Sequence, residues 1–569
     1  MRNLIITDLD KCVGCNRCVR SCPISEANIT TEDSDGKILV EIDNNKCIAC
    51  GSCIDACHHG SRIYEDDTAR FFDDLKRGVA ISMFAAPAAK SNFDDFGRLL
   101  SWLRNQGVRK IYDVSLGADI CTWAHIRYLE KKGLSPIISQ PCPAIVNYIL
   151  MHRNELIKHL SPIHSPMLCT AVFMKKYENV GTKIAALSPC IAKAHEFDAT
   201  YTVDYNVTIK GLLNYIEERG VMFPQNPSGF DHYEAGLGTL YAQPGGLKEN
   251  VEHYLGKKIR IDKSEGPKVV YKALDEYLHQ PQSRLPILFD VLNCAEGCNL
   301  GTACRHEKDI FEINTTMEKY RQESVNNEEN RKYLDELFEH FDSQLRVEDF
   351  IRRYTPAPVQ SIPFTHEALE NAFHRLGKET ENDKVFDCGA CGCDTCLEMA
   401  TQIAKNINTP ANCIEKAHHD IKIEHELAME DLGSFETILK DTTEIKSMTE
   451  EIVTSIEEIT GAVSAYDRMI ADIEKIAMQI NIISLNASIE AARAGVHSKA
   501  FSVVAEEIRK LAQTSDDSAK RTKAASEKAA DAIGSVTGLV SRISESVNDS
   551  YDNISTVANK TKNTLALMK

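Results

Sequence analysis

Two runs near the amino terminus, KCVGCNRCVRSCP and KCIACGSCIDACHHG, repeat one cysteine spacing: Cys12, Cys15, Cys18 and Cys22, then Cys47, Cys50, Cys53 and Cys57. Tight C-x2-C-x2-C spacing lets one loop wrap three corners of an iron-sulfur cubane, and cubane irons need soft thiolates. Zinc is the competing occupant, although its structural sites usually pair two short hooks and do not repeat a four-cysteine run. Three more cysteine loops, SQPCPA, LSPCIAKAHEF and FDVLNCAEGCNLG, lie far apart, and a last group sits in FDCGACGCDTCLEMATQIAKNINTPANCI. Alone, the thiol between Pro141 and Pro143 would read as a small buried hydrophobe.

The chain holds 20 cysteines in 569 residues. In a reducing compartment such clustered thiols read as metal ligands rather than disulfides. The net charge of -18 repels phosphate backbones, and no Lys/Arg-rich run supplies a nucleic-acid footprint, so no nucleic-acid partner is expected. The start MRNLIITDLD lacks a signal pattern, and GVAISMFAAPAA is shorter than the roughly 18 residues of a membrane span. The expectation is a cytoplasmic protein without a membrane span.

At roughly 100 to 200 residues per domain, several units must position these loops. Residues 1–70 carry both early runs, with KILVEIDNN alternating as a short strand between them. Over 71–355, the apolar runs VAISMF, KIYDVS, KIAALS and LPILFDVL alternate with helical patterns, which predicts an α/β unit with sites at strand ends. TPAPVQSIP reads as a linker, and 380–418 as a small cysteine-bearing unit. From 430 to 569 there is neither cysteine nor proline. There Ile445, Ile452, Ile459, Ile473 and Ile480 share one heptad position, with Met448, Ala462, Met469, Ile476 and Ile483 on its companion. After a break, Ile533, Val540, Val547 and Ile554 stand against Val536, Ile543 and Val557. Two long helices pairing as an antiparallel coiled-coil hairpin are predicted.

The early runs resemble bacterial two-cluster ferredoxins. That resemblance implies one 4Fe-4S cluster on Cys12, Cys15, Cys18 and Cys57, and another on Cys47, Cys50, Cys53 and Cys22. The three separated loops, with FAAPAAK, resemble the active-site loops of FeFe hydrogenases, whose H-cluster joins a 4Fe-4S cubane to a di-iron unit bearing CO, cyanide and a bridging dithiolate. The cubane ligands map onto Cys142, Cys190, Cys294 and Cys298, and Cys298 also bridges to the di-iron unit. Lys193 matches the family's lysine beside one cyanide, and Pro87 and Ala88 match the loop packed round the other. Ser188, where a methionine is usual before the Pro-Cys pair, is a further cofactor contact on this reading.

The C-terminal cysteines resemble a small iron-sulfur domain with Cys388, Cys391, Cys396 and Cys413 as 4Fe-4S ligands; zinc is the rival, and Cys393 is spare. The stretch IAMQINIISLNASIEAARAGVHSKAFSVVAEEIRKLA resembles the hairpin tip of methyl-accepting chemotaxis receptors, with Asn486, Glu490, Ala491, Ala492, Arg493, Ala494 and Gly495 in the family's order. The resemblance implies a homodimer whose four-helix bundle binds a histidine kinase and an adaptor protein. Glu451 and Glu458 are candidate methylation sites.

Departures from the hydrogenase pattern shape the expected activity. Catalytic members usually carry a proton-shuttling cysteine where this chain has Pro141, Asp290 replaces a common glutamate, and no acidic relay is evident in CTWAHIRYLEKK. Because proton transfer typically contributes roughly 10² to 10⁴ in rate, slow reversible oxidation of molecular hydrogen to protons and electrons is expected. Cys169 is either a substitute proton donor or a packed thiol, and Cys121 and Cys304 have no assigned role. The whole reads as a sensory FeFe hydrogenase coupled through iron-sulfur clusters to a kinase-controlling rod. The alternatives are a cubane-only redox sensor and a metabolic hydrogenase that exchanges electrons with ferredoxin.

Overall fold

The structure is a computed structural model that describes residues 2–232, 236–255, 259–326, 328–495 and 498–567. Residue contacts divide it into two units, Met1–Ala417 and His418–Lys569.

In the first unit, the two early cysteine runs are held by short antiparallel pairs. β1 (Ile5–Thr7) pairs with β4 (Arg62–Tyr64), and β2 (Asn28–Glu32) with β3 (Ile38–Ile42). Cys18 lies in the helix Arg17–Ser21 and Cys53 in the helix Ser52–Asp55. Cys22 and Cys57 follow just beyond those helices, so each helix spans the gap between consecutive thiols.

The α/β region holds two parallel sheets. One has the order β6-β5-β8-β9, from Ile111–Asp113, Ile81–Ala85, Lys183–Ser188 and Tyr205–Thr208. The other has the order β10-β11-β7, from Ile261–Glu265, Leu288–Leu292 and Ile137–Ile138. All five residues of β5 and of β11 are buried, as parallel strands covered on both faces require. The chain leaves β5 into Pro87, β7 into Cys142, β8 into Cys190 and β11 into Cys294. The four loops therefore issue from carboxyl ends of parallel strands, where ligand sites of open α/β sheets form.

The TPAPVQSIP stretch is tied down: the Ala357 and Val359 amides donate to the Leu150 and Met151 carbonyls. Beyond it, the helix His366–Arg375 packs on Cys396–Ala404, and Ala372, Phe373 and Leu376 share one apolar cluster with Cys391, Cys393, Cys396 and Cys413.

The second unit contains most of the helix Ile414–Arg493 and all of Lys499–Leu567. Thr442, Thr449, Ile470, Ala477, Ser484 and Ala491 are buried along the first helix, and Ala505, Ala512, Ala519 and Val540 along the second, separated by multiples of seven residues; Ala558 and Leu565, also buried, follow out of that register. Ala491 and Ala505, Ser484 and Ala512, and Ala477 and Ala519 stand equally far from the reversal, and Lys520 senses the charge of Glu474. The arms are thus antiparallel. The seam expected on the first arm is not the one they share: Ile473 is 47% exposed and Ile483 65%. Small residues let the two backbones approach, which leaves the bulky isoleucine and methionine stripe outside the pair. At the tip, Asn486 to Gly495 are described, whereas Val496 and His497 lie outside the described residues.

Candidate metal centre

Cys142, Cys190, Cys294 and Cys298, separated by up to 156 positions, line one cavity with an empty volume of about 730 Å3. Pro87, Ala88, Pro141, Lys193 and Tyr241 share its wall. Pro143 starts the helix Pro143–His152 directly after Cys142, which is extended at φ -92° and ψ 110° as a residue before proline should be. The two prolines thereby fix the thiol at the mouth of a helix. Between Cys294 and Cys298, Gly297 has φ +73°, and a Cβ there would overlap the Ala242 carbonyl. Only glycine fits this turn, which brings both sulfurs to the cavity.

Lys193 opens the helix Lys193–Thr200, and its ammonium is buried. Nζ donates to Glu196 Oε2 at 2.6 Å, Ser165 Oγ at 3.0 Å and the Pro141 carbonyl at 3.2 Å. Glu196 Oε1 in turn accepts from Arg352 Nη1 at 3.2 Å. Two cations on one carboxylate leave a positive excess beside the cavity. Burial pushes the Cys190 and Cys298 thiols up to about 12, with the neighbouring Cys142 adding to both and Lys193 opposing. Metal coordination is what makes such thiols anionic.

Among the described residues, no three His, Cys, Asp or Glu side chains converge tightly enough to grip a single metal ion. The thiols instead ring a space walled by Ala86, Val114, Met167 and Leu292. Four soft donors and a buried ammonium around an apolar void fit a polynuclear iron-sulfur group that carries small anionic ligands.

Two residues from the site expectation lie off this wall. Ser188 ends β8 and donates to Asn206 Oδ1 at 2.6 Å and to the Cys190 carbonyl at 3.1 Å, anchoring the loop. Cys169 is fully buried in the helix Pro166–Val172 and donates to the His164 carbonyl at 3.3 Å. Cys121 donates to that same carbonyl at 3.3 Å and lies 3.5 Å from His125 Nδ1. Burial holds the Cys169 thiol well above its ordinary range, and the adjacent Cys121 adds to the effect. Cys304 donates to the Cys298 carbonyl at 3.3 Å and so braces the third loop. Asp290 accepts from the Lys248 amide at 3.1 Å, and burial raises its carboxyl to about 6.

The amino-terminal thiols fall into neighbourhoods. Cys12, Cys15 and Cys18 lie within electrostatic reach of one another, as do Cys22, Cys47, Cys50 and Cys53. Arg62, buried, places Nη2 3.7 Å from Cys18 Sγ and acts on the charges of Cys57, Cys22 and Cys47 as well. Cys50 adjoins the residues of the main cavity: it senses Cys142, and Asn293 Nδ2 donates to its carbonyl at 3.5 Å. In the small unit, Cys388, Cys391, Cys396 and Cys413 line a separate, small cavity, and Cys393, spare by spacing, faces it too.

Sequence reasoning missed Glu196, Ser165, Arg352, Arg62 and Asn293. The only local signal was Glu196, one helical turn after Lys193.

Comparison with known families places these features. Residues 4–58 match the 4Fe-4S dicluster domain model, 79–301 the model of the iron only hydrogenase large subunit, C-terminal domain, and 453–569 the methyl-accepting chemotaxis protein signalling domain model. Among solved structures, a glutamate-to-alanine variant of the FeFe-hydrogenase HydA1 from Chlamydomonas reinhardtii is similar at 15% identity and TM-score 0.38, over 52% of this chain and 100% of that one. An apo cysteine-to-histidine variant of the same enzyme gives 15% and 0.39 over the same shares. No curated protein matches. No helix among the described residues is long and apolar enough to cross a membrane. In order along the chain, then, stand segments that match a 4Fe-4S dicluster domain, the C-terminal domain of the iron only hydrogenase large subunit and a methyl-accepting chemotaxis protein signalling domain.

Proposed function

We propose that the chain is a sensory FeFe hydrogenase, in which slow reversible oxidation of molecular hydrogen sets the signalling state of a kinase-controlling hairpin. The observation that carries this reading is the meeting of Cys142, Cys190, Cys294, Cys298 and buried Lys193 on one apolar cavity. These four thiolates would hold the H-cluster, which when bound supplies the net oxidation of hydrogen to two protons and two electrons. Lys193, held by Glu196, Ser165 and the Pro141 carbonyl, would set its positive charge beside the anionic ligands, and Pro87 and Ala88 line the cavity with apolar groups that exclude water. Pro141 offers no proton-exchanging atom at the position where a thiol would serve, so turnover is slow.

Cys12, Cys15, Cys18 and Cys57, and Cys22, Cys47, Cys50 and Cys53, hold two 4Fe-4S clusters; Cys388, Cys391, Cys396 and Cys413 hold a third. The exposed isoleucine and methionine stripe of the hairpin is covered by a second copy, which gives the four-helix bundle that a histidine kinase and adaptor recognise at the tip. Infrared spectroscopy of matured protein tests the centre: CO and cyanide stretches are expected, and their lack defeats the reading in favour of a cubane-only sensor. Kinase activity compared with and without hydrogen tests the signalling half, and an unchanged activity leaves only a metabolic hydrogenase.

A further inference from the structure

The small cysteine unit does not sit apart from the dicluster segment. Asn16, beside Cys15, donates from Nδ2 to Oδ1 of Asn412 at 2.5 Å, and Asn412 is the residue before Cys413. Both asparagines are buried. Asn412 Nδ2 also donates to the Cys391 carbonyl at 3.4 Å, and Arg20 Nη2 donates to the Gly389 carbonyl at 2.6 Å. Gly392 has φ +93°, and a Cβ on it would press on Val19 and Asn16 at 3.0 and 3.3 Å.

Around this point the attachment is broad. The Thr30 amide donates to the Ile407 carbonyl at 2.9 Å, and Lys405 pairs with Glu26, which Lys46 also holds at 2.9 Å. The cysteine loops of the two units therefore touch through the residues adjoining their thiols. The same device recurs at the other end of the dicluster segment, where Asn293, the residue before Cys294, donates to the Cys50 carbonyl.

We infer that the small unit is the terminal electron store of an internal relay, loaded from the Cys12–Cys15–Cys18 loop across the Asn16–Asn412 contact. This rests on the sensory reading and adds its route. One hydrogen molecule split at the main cavity yields two protons and two electrons, and each cubane accepts a single electron, so two oxidised clusters are reduced per turnover. The path runs from Cys294 through Asn293 to Cys50, from Cys22 along the helix Arg17–Ser21 to Cys18, and from Cys15 through the paired asparagines to Cys413. Cys413 directly precedes the helix Ile414–Arg493. An electron stored there adds negative charge at the positive end of the signalling helix, a place where such charge is stabilised.

The first, spectroscopic arm uses the full chain with reconstituted cubanes but without the di-iron unit, so it reads the relay whether or not an H-cluster forms. In dithionite-reduced protein, electron paramagnetic resonance should show spin-spin broadening that involves the small unit's cluster. Gly392→Leu should abolish that broadening at unchanged iron content. Asn412→Ala, which forces nothing apart, covers the case in which Gly392→Leu loses iron. In its matured form under hydrogen, the small unit's cluster should reduce at least tenfold more slowly than in the parent, with the other clusters unaffected. A parent spectrum equal to the sum of isolated clusters overturns the inference, as does reduction of the Asn412→Ala protein at the parental rate.

Discussion

Replacing Lys193 by methionine separates the roles of the buried ammonium. The Lys193 and Glu196 side chains are 7% and 2% exposed, and their ion pair is 2.6 Å long. Removing one partner of such a pair typically costs about 3–5 kcal/mol, because the other charge stays buried. Glu196 keeps Arg352 at 3.2 Å and the Ser165 hydroxyl at 2.9 Å, which places the expected cost near the lower end, about 3 kcal/mol. At about 2 °C per kcal/mol for a domain of this size, that is a fall of roughly 6 °C in Tm. The chain's two tryptophans, Trp102 and Trp123, both lie in the hydrogenase segment, so fluorescence melting of cluster-free protein reports on that segment. In a Glu196→Gln background the same substitution should cost about 1 kcal/mol or less, a coupling of roughly 2 kcal/mol. Equal losses in the two backgrounds would show that the ammonium and carboxylate are not coupled, and the electrostatic account of the cavity would fall with them.

Three other outcomes follow from the same geometry. Pro141→Cys keeps the carbonyl that Lys193 bonds and supplies a thiol on the cavity wall; hydrogen uptake by matured protein should rise by about 10², and an unchanged rate with intact infrared bands refutes the proton-transfer account. Burial and then Arg352 lower His164 from its usual 6.5 to about 4, so its contribution is complete above pH 6.5 and lost as the pH falls through 4. Between pH 7 and 5 the parent should lose roughly 2 kcal/mol that a His164→Gln variant keeps, measured by urea unfolding. Ile473→Glu with Ile476→Glu on the exposed stripe should convert a sedimenting dimer to monomer with helicity retained, whereas a persistent dimer rules out that face as the interface.

How much was legible in the sequence depended on whether the information was local. The cysteine runs, Lys193 three residues after Cys190, and the strand-then-loop placement of all three separated cysteine loops were readable, because spacing of a few residues governs what one loop can present to one cluster. The Glu196–Arg352 contact joins residues 156 apart and Asn16–Asn412 residues 396 apart. Nothing in a short window marks either end. The hairpin shows a subtler limit: a heptad pattern reveals that a helix has an apolar seam but not which partner covers it. The isoleucine row was the louder pattern, yet Thr442, Ala477, Ser484 and Ala512 make the contact within the chain, since small side chains register weakly on any hydrophobic scale.

Charge balance at Arg62 bears on what the dicluster segment must contain. Arg62 is 3% exposed, and its guanidinium donates to Thr7 Oγ1 at 2.6 Å, Asn28 Oδ1 and the Val40 carbonyl at 3.0 Å, the Glu41 carbonyl at 3.4 Å, and Cys18 Sγ at 3.7 Å. The oxygens among these are neutral, so they satisfy the donors without offsetting the charge. A buried cation is tolerated when an anion shares its low-dielectric surroundings. The sulfurs of Cys18, Cys57, Cys22, Cys47 and Cys53 are groups whose charge Arg62 meets. Protonated thiols would leave the guanidinium uncompensated, whereas metal-bound thiolates supply the missing negative charge. Arg62 thus points, independently of cysteine spacing, to a segment that folds around anionic sulfur centres.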